Sequence, residues 1–293
     1  MTAISGQPAT QFETRHSRTP TRDGLILVGE HHELPSCRSR IVLLHGFGEH
    51  RGRYRPLVAD LLGAGYACHS FDLRGHGASG GVRGHVSSFD EYLDDLDCFL
   101  NETFQSPPGG LVLLGHSLGG LIALEFVLHR ASPIAALVLS SPFLQPAFDL
   151  PPFMKAFVLL VSRLLPKLHF KAPLKPTDLS RDPGIVQRYC GDPQIVRSVT
   201  MAWAASAARA QQDVYARAAE VTMPALFLVG GADRVADPER TRALFARLGS
   251  HDKRLTAFEG FYHEVFNEPE RQRVVADLLA WLDDRFPANG SNS

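Results

Sequence analysis

The chain has 293 residues, of which 44% are hydrophobic and 21% are charged, a balance typical of a soluble globular protein of one or two domains. Its net charge of −1 gives no electrostatic basis for binding nucleic acid or an anionic membrane, so we expect no nucleic-acid partner. We expect no secretory signal, because the first residues contain no apolar core segment. The absence of an apolar run near the ~18 residues of a membrane span, and of Cys-x-x-Cys spacing among the four cysteines, favours a cytoplasmic protein with reduced thiols.

The first predicted element is a β-hairpin. Residues 1–15 are polar and are expected to be disordered. Within Thr19–Glu33, the dipeptide Asp23-Gly24 separates two extended segments, and this dipeptide is a common turn between antiparallel strands. We therefore predict two short antiparallel strands on either side of this turn.

Apolar strands then alternate with helices. The predicted strands are Ile41–Leu44, Tyr66–Phe71, Leu111–Leu114 and Ile134–Leu139, and the predicted helices between them are Tyr54–Gly63, Phe89–Phe104 and Leu121–Leu128. Such alternation predicts a mostly parallel sheet with helices on both faces. The continuous apolar runs of these strands fit a sheet that is buried on both sides.

The alternation stops at Ser141-Pro142 and resumes near residue 220. In between we predict no strand, but an apolar helix, Phe153–Leu165, whose apolar side chains mostly form a local core, and a helical segment, Val196–Arg217. An interruption of about 75 residues is too long for a plain loop and predicts a helical cap over the carboxyl ends of the strands.

The remaining predicted elements complete the sheet and its helices. They are the strands Ala225–Val229 and Arg254–Phe258 and the helices Pro238–Leu248 and Arg271–Asp284. The predicted organisation is therefore an α/β core formed by residues 16–142 and 220–287, a cap formed by residues 143–219, and a disordered tail, residues 288–293.

A candidate nucleophile lies between the third apolar strand and its helix, in the sequence LVLLGHSLGG. Ser117 is at the apex of a sharp strand–turn–helix, and Gly115 and Gly119 supply the small residues that such a turn needs. A serine hydroxyl is a weak nucleophile by itself, so this motif predicts catalysis only if a base and an orienting acid are present.

The acid and the base are expected at the same edge of the sheet. Asp233 follows the strand Ala225–Val229, and His263 follows the last strand. The resulting order, Ser117, Asp233 and His263, is that of the α/β-hydrolase catalytic triad. The less favoured candidates are Glu220 and Asp237 for the acid and His116 and His251 for the base; His116 is expected to point away from the nucleophile.

Two backbone amides are expected to stabilise the oxyanion. One is Leu118, at the start of the helix after Ser117, and the other is Phe47, in the glycine-rich loop after the first apolar strand. We predict no metal and no cofactor, because His31 and His32 are adjacent on a strand and would point to opposite faces. His76 is interpreted as part of a hydrogen-bonded turn.

Several longer motifs point to one family. They are HGFGEHRGRY (His45–Tyr54), FDLRGHGASGG (Phe71–Gly81), GHSLGG (Gly115–Gly120), LSRDPGIVQRYCGDP (Leu179–Pro193), GGADRV (Gly230–Val235) and FEGFYHEVFNE (Phe258–Glu268). With these motifs, the chain resembles the monoacylglycerol lipase and lysophospholipase branch of the α/β-hydrolases, also called the serine aminopeptidase S33 group, from about Ser17 to Arg285.

The resemblance implies an α/β-hydrolase fold with an inserted cap, and a polar pocket for glycerol lined by Glu49, Arg53 and the cap residue Tyr189. The alternative for Glu49 and Arg53 is a surface ion pair at helix spacing. Two departures from the family pattern, Phe47 in place of a small residue and Phe266 in place of a second histidine, imply a less polar pocket.

These observations predict a serine hydrolase that cleaves single-chain acyl esters, such as monoacylglycerols or lysophospholipids, through an acyl-enzyme. The alternatives are a short-chain esterase or a peptidase of the same fold, or a non-catalytic binding protein on this scaffold. Epoxide and haloalkane hydrolases are disfavoured because they need a carboxylate at position 117. Any apolar side chains of the cap helix that its core does not use could line an acyl tunnel or contact a membrane surface transiently.

Overall fold

The computed structural model describes residues 12–104, 110–130, 133–147 and 151–288. Its strands are β1 (Glu13–Pro20), β2 (Ile26–Glu33), β3 (Ser39–Leu44), β4 (Tyr66–Phe71), β5 (Leu111–His116), β6 (Ile134–Ser140), β7 (His169–Lys171), β8 (Ser198–Thr200), β9 (Ala225–Gly230) and β10 (Lys253–Phe258). The helices are α1 (Arg55–Gly63), α2 (Asp90–Thr103), α3 (Leu118–His129), α4 (Pro152–Leu164), α5 (Pro183–Gly191), α6 (Met201–Arg217), α7 (Pro238–Arg247) and α8 (Arg271–Arg285).

Eight strands form the central sheet, in the order β1-β2-β4-β3-β5-β6-β9-β10. The strands from β4 to β10 in this order pair in parallel, whereas β1 and β2 pair antiparallel with each other and β2 pairs antiparallel with β4. This confirms the predicted mostly parallel sheet and the predicted hairpin. Gly24 occupies the hairpin turn with a φ of 84°, a conformation that glycine adopts without steric cost.

The residues at positions 13–15 were expected to be disordered, but they begin β1, where Glu13 pairs with Glu33 and Thr14 with His32. Their side chains are exposed, so the pairing depends on backbone hydrogen bonds and leaves no apolar pattern in the sequence. Residues 1–11 of the predicted amino-terminal disorder, and the tail beyond residue 288, lie outside the described residues.

Alternate side chains of the central strands enter two separate hydrophobic cores. Val42 and Leu44 of β3 pack in the core with α2, α3 and α7, whereas Ile41 and Leu43 pack in the core with α1 and α8. Because successive residues of a strand point to opposite faces, this division shows helices covering both faces of the sheet. The predicted α/β-hydrolase fold class is confirmed.

The segment between β6 and β9 contains α4, α5 and α6, and two strands that were not expected. β7 and β8 form a three-residue antiparallel ribbon, which is too short to give a period-two pattern in the sequence. Helix α6 begins at Met201 instead of position 196, because Thr200 caps it by accepting a hydrogen bond from the amide of Trp203 at 3.2 Å. The cap bounds, residues 143–219, stay a prediction.

The prediction that the apolar side chains of α4 mostly form a local core is wrong. Phe153, Phe157, Leu160 and Leu164 are exposed. Helix α4 packs against α6 on one side, and no described element covers these four side chains. Among the described residues, no helix combines the length and the hydropathy that a membrane span requires.

A buried ion pair joins the loop after β4 to α2. The guanidinium of Arg74 donates two hydrogen bonds to the carboxylate of Asp95, at 2.7 and 2.6 Å, and Asp95 is fully buried. Asp23 and Glu91 also accept from Arg74. Removing the cation would leave Asp95 buried without its main partner.

Arg74→Met should therefore lower the free energy of unfolding by about 3–5 kcal/mol, measured by urea denaturation at pH 7. The matched control is Arg242→Ala, which breaks the exposed pair with Glu239 and should change that free energy by less than about 0.5 kcal/mol. A loss below about 1 kcal/mol in the Arg74 variant would show that the buried pair is not a main determinant of stability.

Candidate active site

Ser117 lies on a strained turn between β5 and α3, with a φ of 51° and a ψ of −114°. A Cβ atom on Gly119 would lie 2.2 Å from the carbonyl oxygen of Leu44, and one on Gly115 would lie 2.3 Å from the carbonyl oxygen of Gly119. Neither position can therefore accept a larger residue. A non-glycine residue in this conformation costs about 1–3 kcal/mol, and such strain is concentrated at functional sites.

Asp233 and His263 form a buried hydrogen-bonded pair. The Nδ1 atom of His263 lies 2.8 Å from Oδ2 of Asp233, and because a carboxylate only accepts, Nδ1 carries the proton. The other carboxylate oxygen accepts from the amides of Val235 and Ala236, at 2.8 and 3.0 Å. Burial lowers the pKa of His263, but the charge of Asp233 and this hydrogen bond outweigh burial and raise it above its usual value.

The Asp233–His263 pair and Ser117 lie at the same edge of the sheet. β5, β9 and β10 all run parallel, so the loops after them emerge on one side. The ring of His116, which precedes Ser117, packs against the ring of His263 with 4.8 Å between the centroids. No hydrogen bond joins the Ser117 hydroxyl to His263 within the described ranges, and such bonds are often long before substrate binds.

His116 was expected to point away from the nucleophile, but its ring lies within this site. Its Nδ1 atom bonds the hydroxyl of Ser140 at 3.1 Å, and its ring contacts His263. The alternation of β5 does not continue into Ser117, because the left-handed φ of Ser117 ends the strand abruptly. Side-chain direction at the neighbouring position therefore could not be predicted from strand periodicity.

The two predicted oxyanion amides belong to segments that lie next to Ser117. Leu118 is the first residue of α3, so its amide has no acceptor within the helix. Phe47 follows Gly46, where a Cβ atom would lie 3.1 Å from Cβ of Ser117. The glycine thus lets the loop after β3 approach the serine, and the Phe47 ring packs on Trp203 of α6, with 4.6 Å between centroids.

Glu49 and Arg53 form a buried ion pair, which excludes the alternative of a surface pair. One carboxylate oxygen of Glu49 accepts from the amide of Gly46 at 2.6 Å and from the hydroxyl of Tyr54. The other accepts from Nε of Arg53 at 3.1 Å. Burial alone would raise the pKa of Glu49, but His116 and Arg53 hold it at about 2. The guanidinium of Arg53 stacks on the ring of Tyr189, 5.1 Å from its centroid.

Two buried carboxylates, those of Glu264 and Glu268, lie in the loop after β10 that also contains His263, and neither was predicted as a site residue. Glu264 accepts from Nη2 of Arg53 and from the side-chain amide of Asn267, and burial raises its pKa. Glu268 accepts from the amide of Tyr262 at 2.7 Å and from Nε of Arg181 at 2.8 Å. Both lie in the motif FEGFYHEVFNE, but acidic residues in a loop are usually exposed, so their burial could not be predicted from this motif.

The segment between β6 and β9 is hydrogen-bonded to the loop after β3 and to the loop after β10. The amide of Val196 donates to the carbonyl oxygen of Gly48 at 2.9 Å, and the amide of Glu264 donates to the carbonyl oxygen of Leu179 at 2.8 Å. Ser117 is 7% exposed and His263 is 2% exposed. The site is therefore covered in this conformation.

Histidines outside this site have internal partners. His31 bonds His69 and Ser17, whereas His32 bonds Thr14, and Nδ1 of His76 bonds the carbonyl oxygen of Arg74 at 2.9 Å. Within the described ranges, one group has a donor set that could hold a metal ion: Glu125, His129 and Asp213. His129 pairs with Asp213 at 2.7 Å and contacts Arg217 at 3.1 Å, and a cation there would displace this ion-pair network.

Comparisons with known proteins agree with this geometry. The family model described as serine aminopeptidase, S33, matches residues 35–270. A monoacylglycerol lipase of Mycolicibacterium smegmatis is 33% identical over 250 residues, which cover 84% of this chain and 88% of that protein. Phospholipase YtpA of Bacillus subtilis is 32% identical over 247 residues, covering 83% and 94%. The crystal structure of a Paleococcus ferrophilus monoacylglycerol lipase, 34% identical, covers 94% of this chain and 99% of its own, with a TM-score of 0.78.

Proposed function

The chain belongs to the serine aminopeptidase S33 family, and we propose that it is a serine hydrolase that cleaves single-chain acyl esters, with monoacylglycerol as its preferred substrate. The observation that supports this proposal most strongly is the buried Asp233–His263 pair. The ring of His263 packs on that of His116, which directly precedes Ser117 on its strained turn. The family membership confirms the resemblance inferred from the sequence motifs.

The proposed mechanism assigns one role to each group. The Ser117 oxygen attacks the ester carbonyl while Nε2 of His263 takes the serine proton, and Asp233 stabilises the imidazolium that forms. The amides of Leu118 and Phe47 donate to the oxyanion of the tetrahedral intermediate. His263 then gives its proton to the departing alcohol, and water, activated by the same histidine, hydrolyses the acyl-enzyme.

The charges near Ser117 favour a neutral head group. Glu49 and Glu264 are two buried carboxylates that share one guanidinium, that of Arg53, so this cluster is net negative when both are ionised. A phosphate group placed next to it would meet uncompensated negative charge in a site of low polarity. A glycerol head group can instead bond Arg53 or Tyr189 without that cost, which favours monoacylglycerol over lysophospholipid.

The exposed face of α4 supports a second part of the proposal, transient contact with a lipid surface. Phe153, Phe157, Leu160 and Leu164 recur at helical spacing, so they share one face, and all four are at least half exposed. Burying a side chain of this size in an apolar medium contributes about 1.5–3 kcal/mol. Since the site is covered, contact at this face could also favour the opening of the cap that a lipid substrate requires.

Ser117→Ala should lower kcat on a soluble ester by about 10³-fold or more, because the covalent route is lost while binding and the oxyanion amides remain. The matched control is Ser206→Ala, a buried serine whose hydroxyl donates to the carbonyl oxygen of Trp203 in the same helix, α6. Its kcat should stay within about twofold of wild type. Retention of most of the wild-type kcat in the Ser117 variant would refute the assigned nucleophile.

The head-group prediction compares esters of one acyl chain. We expect kcat/KM for 1-decanoylglycerol to exceed that for its 3-phosphate and for the matching lysophosphatidylcholine by at least about tenfold, which is about 1.4 kcal/mol. Equal or faster hydrolysis of the phosphorylated lipids would contradict the charge argument and favour a lysophospholipase. A higher kcat/KM for p-nitrophenyl acetate than for the decanoyl ester would instead favour the short-chain esterase, and hydrolysis of peptide amides alone would favour the peptidase.

The membrane prediction uses sedimentation with phosphatidylcholine vesicles. Phe157→Asp and Leu160→Asp should each lower the partition coefficient by at least about tenfold, while kcat on a water-soluble butyrate ester stays unchanged. Leu159→Asp is the matched control, because Leu159 is exposed on another side of the same helix. Equal loss in all three variants, or none, would rule out this face as the lipid contact.

A further inference from the structure

Arg53 connects the two loops that contribute to the proposed reaction. Its Nε atom donates to Glu49, in the loop after β3, at 3.1 Å, and its Nη2 atom donates to Glu264, in the loop after β10. All three side chains are almost completely buried. We refer to Glu49, Arg53 and Glu264 together as the carboxylate bridge.

Each end of the carboxylate bridge is attached to a proposed catalytic group. Glu49 accepts from the amide of Gly46 at 2.6 Å, and the next amide along the chain is that of Phe47, a proposed oxyanion donor. Glu264 directly follows His263, the proposed base, and its carboxylate is also fixed by the side-chain amide of Asn267 at 2.8 Å. A shift of either loop would therefore stretch hydrogen bonds to Arg53.

Burying the three charged groups of the carboxylate bridge costs desolvation free energy. Replacing buried ion pairs by apolar side chains is often neutral or stabilising, so stability alone does not explain two carboxylates on one guanidinium. What such a fork does provide is fixed geometry, since the guanidinium is planar and donates in set directions. In the proposed reaction, the base and the oxyanion donor must act on the same carbonyl group, and their separation has to be fixed.

We propose that Glu264 is a positioning residue that, through Arg53 and Glu49, holds His263 in register with the Phe47 amide. This inference rests on the proposed serine-ester mechanism.

Glu264 also places a negative charge beside the histidine. Among the described residues, the groups that bear on the charge of His263 are the carboxylates of Asp233, Glu264 and Glu49 and the ring of His116, while Arg53 pairs with both Glu49 and Glu264. Loss of the Glu264 charge would make protonation of His263 less favourable.

Glu264→Gln keeps the size of the side chain and removes its charge. We expect kcat on a soluble butyrate ester to fall about 10- to 100-fold, with KM within about threefold of wild type. The neutral form of His263 is the base, so kcat/KM falls on the acid side, and the wild-type midpoint should lie above the usual histidine value of about 6.5. In Glu264→Gln this midpoint should move to lower pH.

Glu268→Gln is the matched control, because Glu268 is a buried carboxylate of the same loop that does not bond Arg53. It should lower the melting temperature and leave the acid midpoint in place. Arg53→Lys keeps a positive charge but cannot donate to both carboxylates in the same fork, so it should lower kcat with little change in the midpoint. This variant tests the bridge even if Glu264→Gln fails to fold.

The outcomes separate this inference from the proposed function. Wild-type protein that hydrolyses no ester would overturn the proposed function. Active wild-type protein together with a Glu264→Gln or Arg53→Lys variant that retains the wild-type kcat would overturn only the positioning role. A Glu264→Gln variant that loses thermal stability but keeps the wild-type kcat and acid midpoint would show that the bridge is merely structural.

Discussion

The strained backbone at Ser117 is the constraint on which the site depends. A left-handed φ at a serine is maintained only where the surroundings leave no alternative, and here β5, α3 and the end of β3 meet within contact distance. Gly119 lies against the carbonyl of Leu44, so α3 and the loop after β3 are placed by the same contact. The proposed nucleophile and both proposed oxyanion amides therefore derive their positions from one close-packed junction.

Around this junction the protein buries several charged side chains. Asp233, Glu49 and Glu264 lie near the ring of His263, which packs on the ring of His116, and Glu49 and Glu264 both pair with Arg53. In a medium of low polarity, such groups are stable only when hydrogen bonds fix them, and each carboxylate has at least two donors. The resulting rigidity suits a reaction that develops charge on an imidazole and on a carbonyl oxygen, because the surrounding dipoles need not reorganise.

Much of the fold and the positions of the three triad candidates could be predicted from the sequence. Continuous apolar strands ending in Gly-rich loops identify the edge of the sheet at which Ser117, Asp233 and His263 lie. Long-range relations were missed, because a local pattern does not contain them. The ribbon of β7 and β8 is too short for periodicity, and the exposure of Phe157 depends on what packs beside α4. The burial of Glu264 depends on an arginine that is 211 residues away in the chain.

The central claim is that Ser117 is the residue that becomes acylated, and trapping of the covalent species tests it most directly. The protein would be treated with a decyl fluorophosphonate, digested, and mapped by tandem mass spectrometry. We expect one adduct per chain, on Ser117, formed more slowly when 1-decanoylglycerol competes. An adduct on another residue, or none in protein that hydrolyses the ester, would contradict the account.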